Sequence, residues 1–149
     1  MNLTDLQAAF TAELAAVNRK LRALVDERAR GMGLTLARAR LLMELAREDG
    51  LIQSDLAGLL EIEQPTLVRL LDGLERNGMV ERRAVAGDRR ARQVFLTPMA
   101  RAQAEDILAF LAELRADILQ GIAPQDLELA LSVLRRTSRN IAAGRSTAS

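Results

Sequence analysis

From the start of the chain, apolar residues fall on one stripe: Leu3, Leu6, Phe10, Leu14, Val17, Leu21 and Leu24, in steps of three and four. That is the period of a helix with one apolar side, and no Pro or Gly interrupts it, so a long helix over about Leu3 to Arg30 is predicted. Gly31-Met32-Gly33 ends it, because glycine tolerates the left-handed turn past a helix. Thr35 is placed to cap a second helix carrying Leu41, Leu42 and Leu45 toward Asp49-Gly50. Leu51-Ile52-Gln53 is short enough for one small strand. Ser54 is the expected N-cap of a third helix, with Asp55 in its first turn.

Pro65 then marks the first turn of a fourth helix, where its missing N–H costs nothing. Leu67, Leu70, Leu71 and Leu74 form its inward stripe, and Asn77-Gly78 stops it. The period changes from Met79 onward. Alternating residues, a turn at Ala86-Gly87-Asp88 and the return through Val94-Phe95-Leu96 predict a hairpin. Thr97 caps and Pro98 opens a fifth helix lined by Ile107, Leu111, Leu114 and Ile118. Ala123-Pro124 opens a sixth, with Leu127, Leu131, Leu134 and Ile141.

Helix, helix, then an arginine-tipped hairpin is the layout of a winged helix-turn-helix, which places one helix in a major groove. The fold expected is mainly α with a small β-hairpin wing, the winged helix-turn-helix flanked by N- and C-terminal dimerisation helices. At 149 residues the chain is expected to be a single domain. Within it, 1–33 and 98–143 would form a dimerisation lobe, 34–97 a DNA-binding lobe and 144–149 a frayed tail. With no linker between them, the lobes are expected to move together. The apolar stripes on the first, fifth and sixth helices exceed what one small chain can cover, so a symmetric homodimer is expected.

Composition changes this picture little and charge changes it more. Hydrophobic residues make up 49% and charged residues 28%, which is a globular balance. The net charge of +1 argues weakly against nucleic acid, but its distribution argues the other way. Between Val80 and Arg92 lie Arg82, Arg83, Arg89, Arg90 and Arg92 against only Glu81 and Asp88. A local basic feature is sufficient for phosphate contact, since the attraction acts over about 8 Å, one Debye length. Cys and His are both absent, which excludes disulfides, thiolate or imidazole metal sites and nucleophiles based on either residue. No cofactor and no metal is implied. The opening residues lack a signal peptide's basic stretch and apolar run, and no segment approaches the about 20 apolar residues that span a bilayer, so a cytoplasmic protein is expected.

On the fourth helix, the residues turned away from the leucines are Gln64, Thr66, Val68, Arg69, Asp72 and Gly73. Gln and Arg can make paired contacts to adenine and guanine edges, and Thr and Val can touch a thymine methyl. An ordinary solvated face, with Asp72 and Arg76 as i,i+4 neighbours, would look similar. The hairpin decides between them. Arg89, Arg90 and Arg92 near its turn can enter a minor groove or follow phosphates. Asp88 beside them is expected to orient an arginine through a fork-like pair. Protection of an edge strand explains charge there, but not why it is all arginine directly after a helix-turn-helix.

The stretch from Gln64 to Leu74, the run Gly78-Met-Val-Glu-Arg82 and the run Gly87-Asp-Arg-Arg-Ala-Arg-Gln-Val-Phe-Leu-Thr97 resemble the multiple-antibiotic-resistance regulator (MarR) family, and the flanking helices share its order and length. The resemblance implies a homodimeric bacterial transcription regulator, usually a repressor released by a small aromatic or phenolic effector, dimerising through its first, fifth and sixth helices. It places recognition-helix contacts to double-stranded, inverted-repeat DNA on Gln64, Pro65, Thr66, Val68 and Arg69. Wing contacts fall on Asp88 and Arg90, with Arg89 and Arg92 beside them, and Ser54 matches a phosphate-contacting helix start. Glu63 departs from the family's usual capping Ser or Thr, Ala86 from its Pro or Asp, and Ala100 from its Gly. Ala39 stands where many members carry a bulky aromatic. Arg28, Arg38 and Arg40 lie near the family's effector crevice and are candidates to pair an anionic effector.

Two rival functions are weaker. An enzyme would need a site, but Gly31-Met32-Gly33 is followed by Leu36 where a dinucleotide loop needs glycine, and Glu61 and Glu63 sit on a turn with no cleft implied. The alternative of a winged-helix protein-interaction module that does not bind DNA would favour an apolar wing or an acidic recognition face. The sequence has neither.

Overall fold

The computed structural model describes residues 1–146. Its elements are α1 (Leu3–Gly31), α2 (Leu36–Arg47), β1 (Leu51–Ile52), α3 (Gln53–Leu60), α4 (Gln64–Arg76), β2 (Val80–Val85), β3 (Asp88–Leu96), α5 (Pro98–Ile118) and α6 (Pro124–Ser146). The chain divides into two compact units, residues 1–112 and 113–149, with the boundary inside α5. No helix among the described residues is long and apolar enough to cross a membrane.

The helix boundaries follow their caps. Asn2 Oδ1 accepts the Asp5 N–H at the start of α1. At its end, the Leu34 N–H reaches back to the Ala29 carbonyl at 2.8 Å and that of Gly33, at φ +74°, to Arg30. This is a glycine-dependent helix stop. Thr35 caps α2 as expected, its Oγ1 accepting the Arg38 N–H. Thr97 Oγ1 likewise accepts the Ala100 N–H at the start of α5. Ser54 corrects the sequence reading. Pairing of Leu51 with Val94 and Ile52 with Gln93 holds the chain extended up to Ile52, so α3 begins at Gln53. Ile52 is therefore the N-cap, without a side-chain acceptor, and Ser54 lies exposed inside the first turn. The expected frayed tail also changes. The helix formers Ala142 and Ala143 carry α6 through Ser146, and residues 147–149 lie outside the described residues.

The core lies in the first unit. Leu41, Leu42 and Leu45 of α2, Leu56 of α3, Leu67, Leu71 and Leu74 of α4, Val94 of β3 and Ile107 of α5 are fully buried. Burying each leucine contributes about 1.5–3 kcal/mol relative to leaving it exposed. The three strands form one antiparallel sheet in the order β1-β3-β2. The apolar stripe of α1 behaves differently: Leu3, Leu6, Phe10, Leu14 and Val17 are all exposed in the single chain, Leu3 at 70%. In the second unit, considered by itself, Leu129, Leu131, Leu134 and Ile141 of α6 are exposed too.

Candidate nucleic-acid interface

The α4 helix enters with Pro65 in its first turn and Glu63 as N-cap, the latter making no side-chain capping bond. Its leucines fix its orientation. Gln64, Pro65, Thr66 and Arg69 are left exposed, with Val68 half-buried. Leu70 is only partly buried, so the inward stripe rests on Leu67, Leu71 and Leu74. Gly73 does not belong to the outer face, as the sequence reading had it. It is buried, and a Cβ there would lie 2.9 Å from Arg38 Nη2, so the tip of the Arg38 side chain packs against the α4 backbone.

Asp72 and Glu75 also leave the available face. Arg82 of β2 donates from Nη2 to Asp72 Oδ1 at 2.7 Å and from Nε to Glu75 Oε2 at 2.8 Å, and Nη2 also bonds Glu75. Asp72 thus pairs with Arg82, and not with Arg76 as the solvated-face alternative would have it, and this pair ties helix to wing. Partial burial opposes the Arg82 charge, but the hydrogen bonds and charges of Glu75 and Asp72 outweigh it and raise its pKa above the ordinary guanidinium value. Arg83 is engaged as well. It pairs with Glu81, and its guanidinium stacks over the Phe95 ring at 4.1 Å.

Of the basic run, Arg89, Arg90 and Arg92 remain exposed, and no ion pair among the described residues engages them or Arg69. The wing tip explains how they are displayed. The register runs from Val80 opposite Leu96 to Ala84 opposite Arg92, then shifts so that Val85 faces Asp88. Arg89, Arg90 and Ala91 therefore bulge out of the ladder without strand partners. Gly87, at φ +81°, supplies the left-handed residue of the tight turn. Asp88 Oδ1 accepts the freed N–H groups of Arg90 at 2.9 Å and Ala91 at 3.2 Å. This corrects the expected fork between Asp88 and an arginine side chain. The carboxylate organises the backbone of the bulge, because two unpaired amides stand closer to it than any guanidinium.

These placements bring Gln64, Thr66 and Arg69 onto one helix and Arg89, Arg90 and Arg92 onto one hairpin tip, with Arg82 joining the two elements. Within the first unit, two clefts flank α1. One, of about 470 Å³, is lined by Asn18, Leu21, Arg22, Arg40 and Leu111 among others. The other, of about 440 Å³, holds Arg28 with Glu27, Asp106 and Phe110, and the Arg28 guanidinium lies 5.4 Å from the Phe110 ring. Arg28, Arg38 and Arg40 are therefore not brought together: two face separate clefts and the third abuts Gly73. Sequence reasoning missed the roles of Arg82 and of Asp49, which bonds β3 and α5. Two carboxylates three residues apart on α4, followed by an arginine on the next strand, were the available signal for Arg82. Asp49 had none beyond its place before a helix-ending glycine.

A family model described as MarR family matches residues 32–91, which span α2 through the wing tip. A solved transcriptional regulator, PA3341, is 44% identical over 89% of this chain and 98% of its own, with a TM-score of 0.80. The chain belongs to the MarR family. A MarR family transcriptional regulator from Silicibacter pomeroyi is 29% identical, covers 95% of this chain and 97% of its own, and superimposes with a TM-score of 0.78. MepR of S. aureus, solved in complex with DNA, is 21% identical across 89% of this chain and 97% of its own at a TM-score of 0.78, and so shares the fold. The six helices and small antiparallel sheet are those of the MarR winged helix, and the chain is a DNA-binding transcriptional regulator of that family.

Replacing Arg82 by Ala should lower the unfolding free energy by about 1 kcal/mol, the scale of a partly exposed ion-pair network. Urea denaturation measures this. A double-mutant cycle with Glu75→Gln should return a coupling of about 0.5 kcal/mol or more; strict additivity would show that the pair does not join α4 to the wing.

Proposed function

We propose that this MarR regulator is a homodimeric, sequence-specific repressor whose α4 reads base edges and whose wing engages phosphates or the minor groove. The observation that carries the reading is selective pairing of charge. Arg82 and Arg83 are held by carboxylates, whereas Arg69, Arg89, Arg90 and Arg92 stand exposed with no ion pair among the described residues. Gln64, Pro65, Thr66 and Val68 accompany Arg69 on the reading helix. Ser54, exposed in the first turn of α3, is assigned to a phosphate, and Asp88 acts through the wing backbone. Binding, and not catalysis, is the task proposed, in the bacterial cytoplasm.

The exposed apolar residues of α1 and α6 support dimerisation, because a monomer would leave them in water. A two-fold dimer meets an inverted repeat with half-sites about 10 bp apart, one helical turn. Release is assigned to a small aromatic or amphipathic anion. The cleft carrying Arg22 and Arg40 against the single carboxylate of Glu61 suits it better than the Arg28 cleft, where Glu27 and Asp106 outnumber the arginine. Such a ligand acts only by binding more tightly to the arrangement that misplaces the reading helices.

Arg90→Ala should weaken operator and nonspecific DNA alike and reduce the salt slope by about one. Replacing Gln64 or Thr66 should instead change the preferred sequence, with about 1–3 kcal/mol lost per broken base contact. Gel shifts across a salt series read both, and an unchanged slope and affinity for Arg90→Ala would exclude the wing from the interface.

Sedimentation should show a dimer at micromolar concentration; a folded monomer there would count heavily against the proposed assembly. Calorimetry with benzoates and phenols should show heat that disappears in Arg40→Ala. Absence of heat, with gel shifts unaffected by the same compounds, would remove the effector from the proposal.

A further inference from the structure

Asp49 follows the C-cap of α2 and binds, besides its neighbour Gly50, two residues far away in sequence. Its Oδ1 accepts the Leu96 N–H at 3.0 Å and the Gly50 N–H at 3.2 Å, and its Oδ2 accepts a hydrogen bond from Arg101 Nη2 on α5. The β1–β3 register, Leu51 opposite Val94 and Ile52 opposite Gln93, would place Asp49 opposite Leu96. The carboxylate therefore stands in for a strand carbonyl at the point where the chain has already turned away. Gly50 makes that turn at φ +74°, and its N–H still reaches the Val94 carbonyl at 3.0 Å. A Cβ on Gly50 would lie 2.8 Å from Phe95 Cε1, so the loop sits directly against the strand. One carboxylate thus joins the root of β3 to the first turns of α5.

The wing is a lever from that root. Val80 faces Leu96 and Val85 faces Asp88, so the wing extends over five strand steps, about 17 Å at ~3.3 Å per residue, and a tilt of about 5° at the root carries the tip about 1.5 Å. A guanidinium–phosphate hydrogen bond does not survive a displacement of that size. The opposite strand has its own tie, through Arg82 to α4. Among the described residues, the hydrogen bonds from Gln93 to the Gly50 carbonyl and from Leu96 to Asp49 are the side-chain ties of β3 to the α2–β1 loop, and of these Asp49 alone also reaches α5.

We propose that Asp49 is a positioning residue for DNA binding: its carboxylate, held by Arg101, sets the angle of the wing so that Arg89 and Arg90 reach the backbone. The proposal rests on the reading that the wing touches DNA. Asp49→Asn keeps the acceptor for Leu96 and Gly50 but removes the charge facing Arg101, and Arg101→Ala removes the same tie from the other side. The test measures operator affinity and thermal midpoint for both variants, alone and in an Arg89→Ala/Arg90→Ala background. Each variant should lose about three- to tenfold in affinity in the native background, with a midpoint within a few degrees of the parent, and less than about twofold in the arginine-depleted one. Arg101→Lys, which retains the charge, should recover most of the loss.

Equal losses in both backgrounds, or no loss in the first, would overturn the assignment of Asp49 while leaving the wing reading intact. If Arg89→Ala/Arg90→Ala alone binds like the parent, the wing does not contact DNA and both readings fall.

Discussion

Everything at the interface depends on which way α4 is turned, and that is settled by three leucines. Leu67, Leu71 and Leu74 are fully buried against Leu41, Leu42 and Leu45 of α2 and their neighbours in one core cluster. Together their burial is worth several times the about 1 kcal/mol available to any partly exposed ion pair nearby. The helix therefore cannot rotate to improve a surface contact. Gln64, Thr66 and Arg69 face outward because the leucines face inward. Gly73 lets the tip of the Arg38 side chain approach within the space a Cβ would occupy.

On that fixed helix, charge pairing divides the arginines into two groups. Arg82 and Arg83 spend their donors on Asp72, Glu75 and Glu81, so they orient strands and mask the carboxylates that would repel a polyanion. The bulge at Arg89-Arg90-Ala91 has the opposite effect. By breaking the ladder it exposes backbone N–H groups, and Asp88 satisfies two of them without engaging a guanidinium. A negative residue at the tip of a basic wing is thereby consistent with phosphate binding. Its charge is directed at amides, and the arginines stay available.

Most of the fold was legible because it is written in local periods. The steps of three and four predicted α1, and Thr35, Pro65, Asn77-Gly78 and Thr97 marked ends that the structure places at the same residues or within one or two. Ser54 misled because the strand before it is one residue shorter than its composition suggests: pairing with β3 ends at Ile52, so Gln53 already belongs to the helix. Asp88 misled because a bulge cannot be read from composition. The Asp49 tie was not legible, and the Arg82 tie left only the faint signal of two carboxylates on α4 ahead of an arginine. Arg82 reaches back seven and ten residues, and Asp49 forward 47 and 52, separations at which no sequence period survives. The exposed positions Gln64, Thr66 and Arg69 of α4 could be inferred from sequence, whereas the ties that join α4 to the wing could not.

The second unit poses a different physical problem. From Glu113 to Gly144 no described residue is buried, although α6 alone carries Leu129, Leu131, Val133, Leu134 and Ile141. In proteins most helical stability comes from packing an apolar face against a surface that covers it. In the proposed dimer that surface comes from the second copy, so the energy that holds the terminal helices in place is association energy. Assembly and the spacing of the two reading helices then become one equilibrium. A ligand seated beside α1 needs only to alter how that helix is covered to change which DNA spacing the pair can meet, and no rearrangement within the leucine core is required.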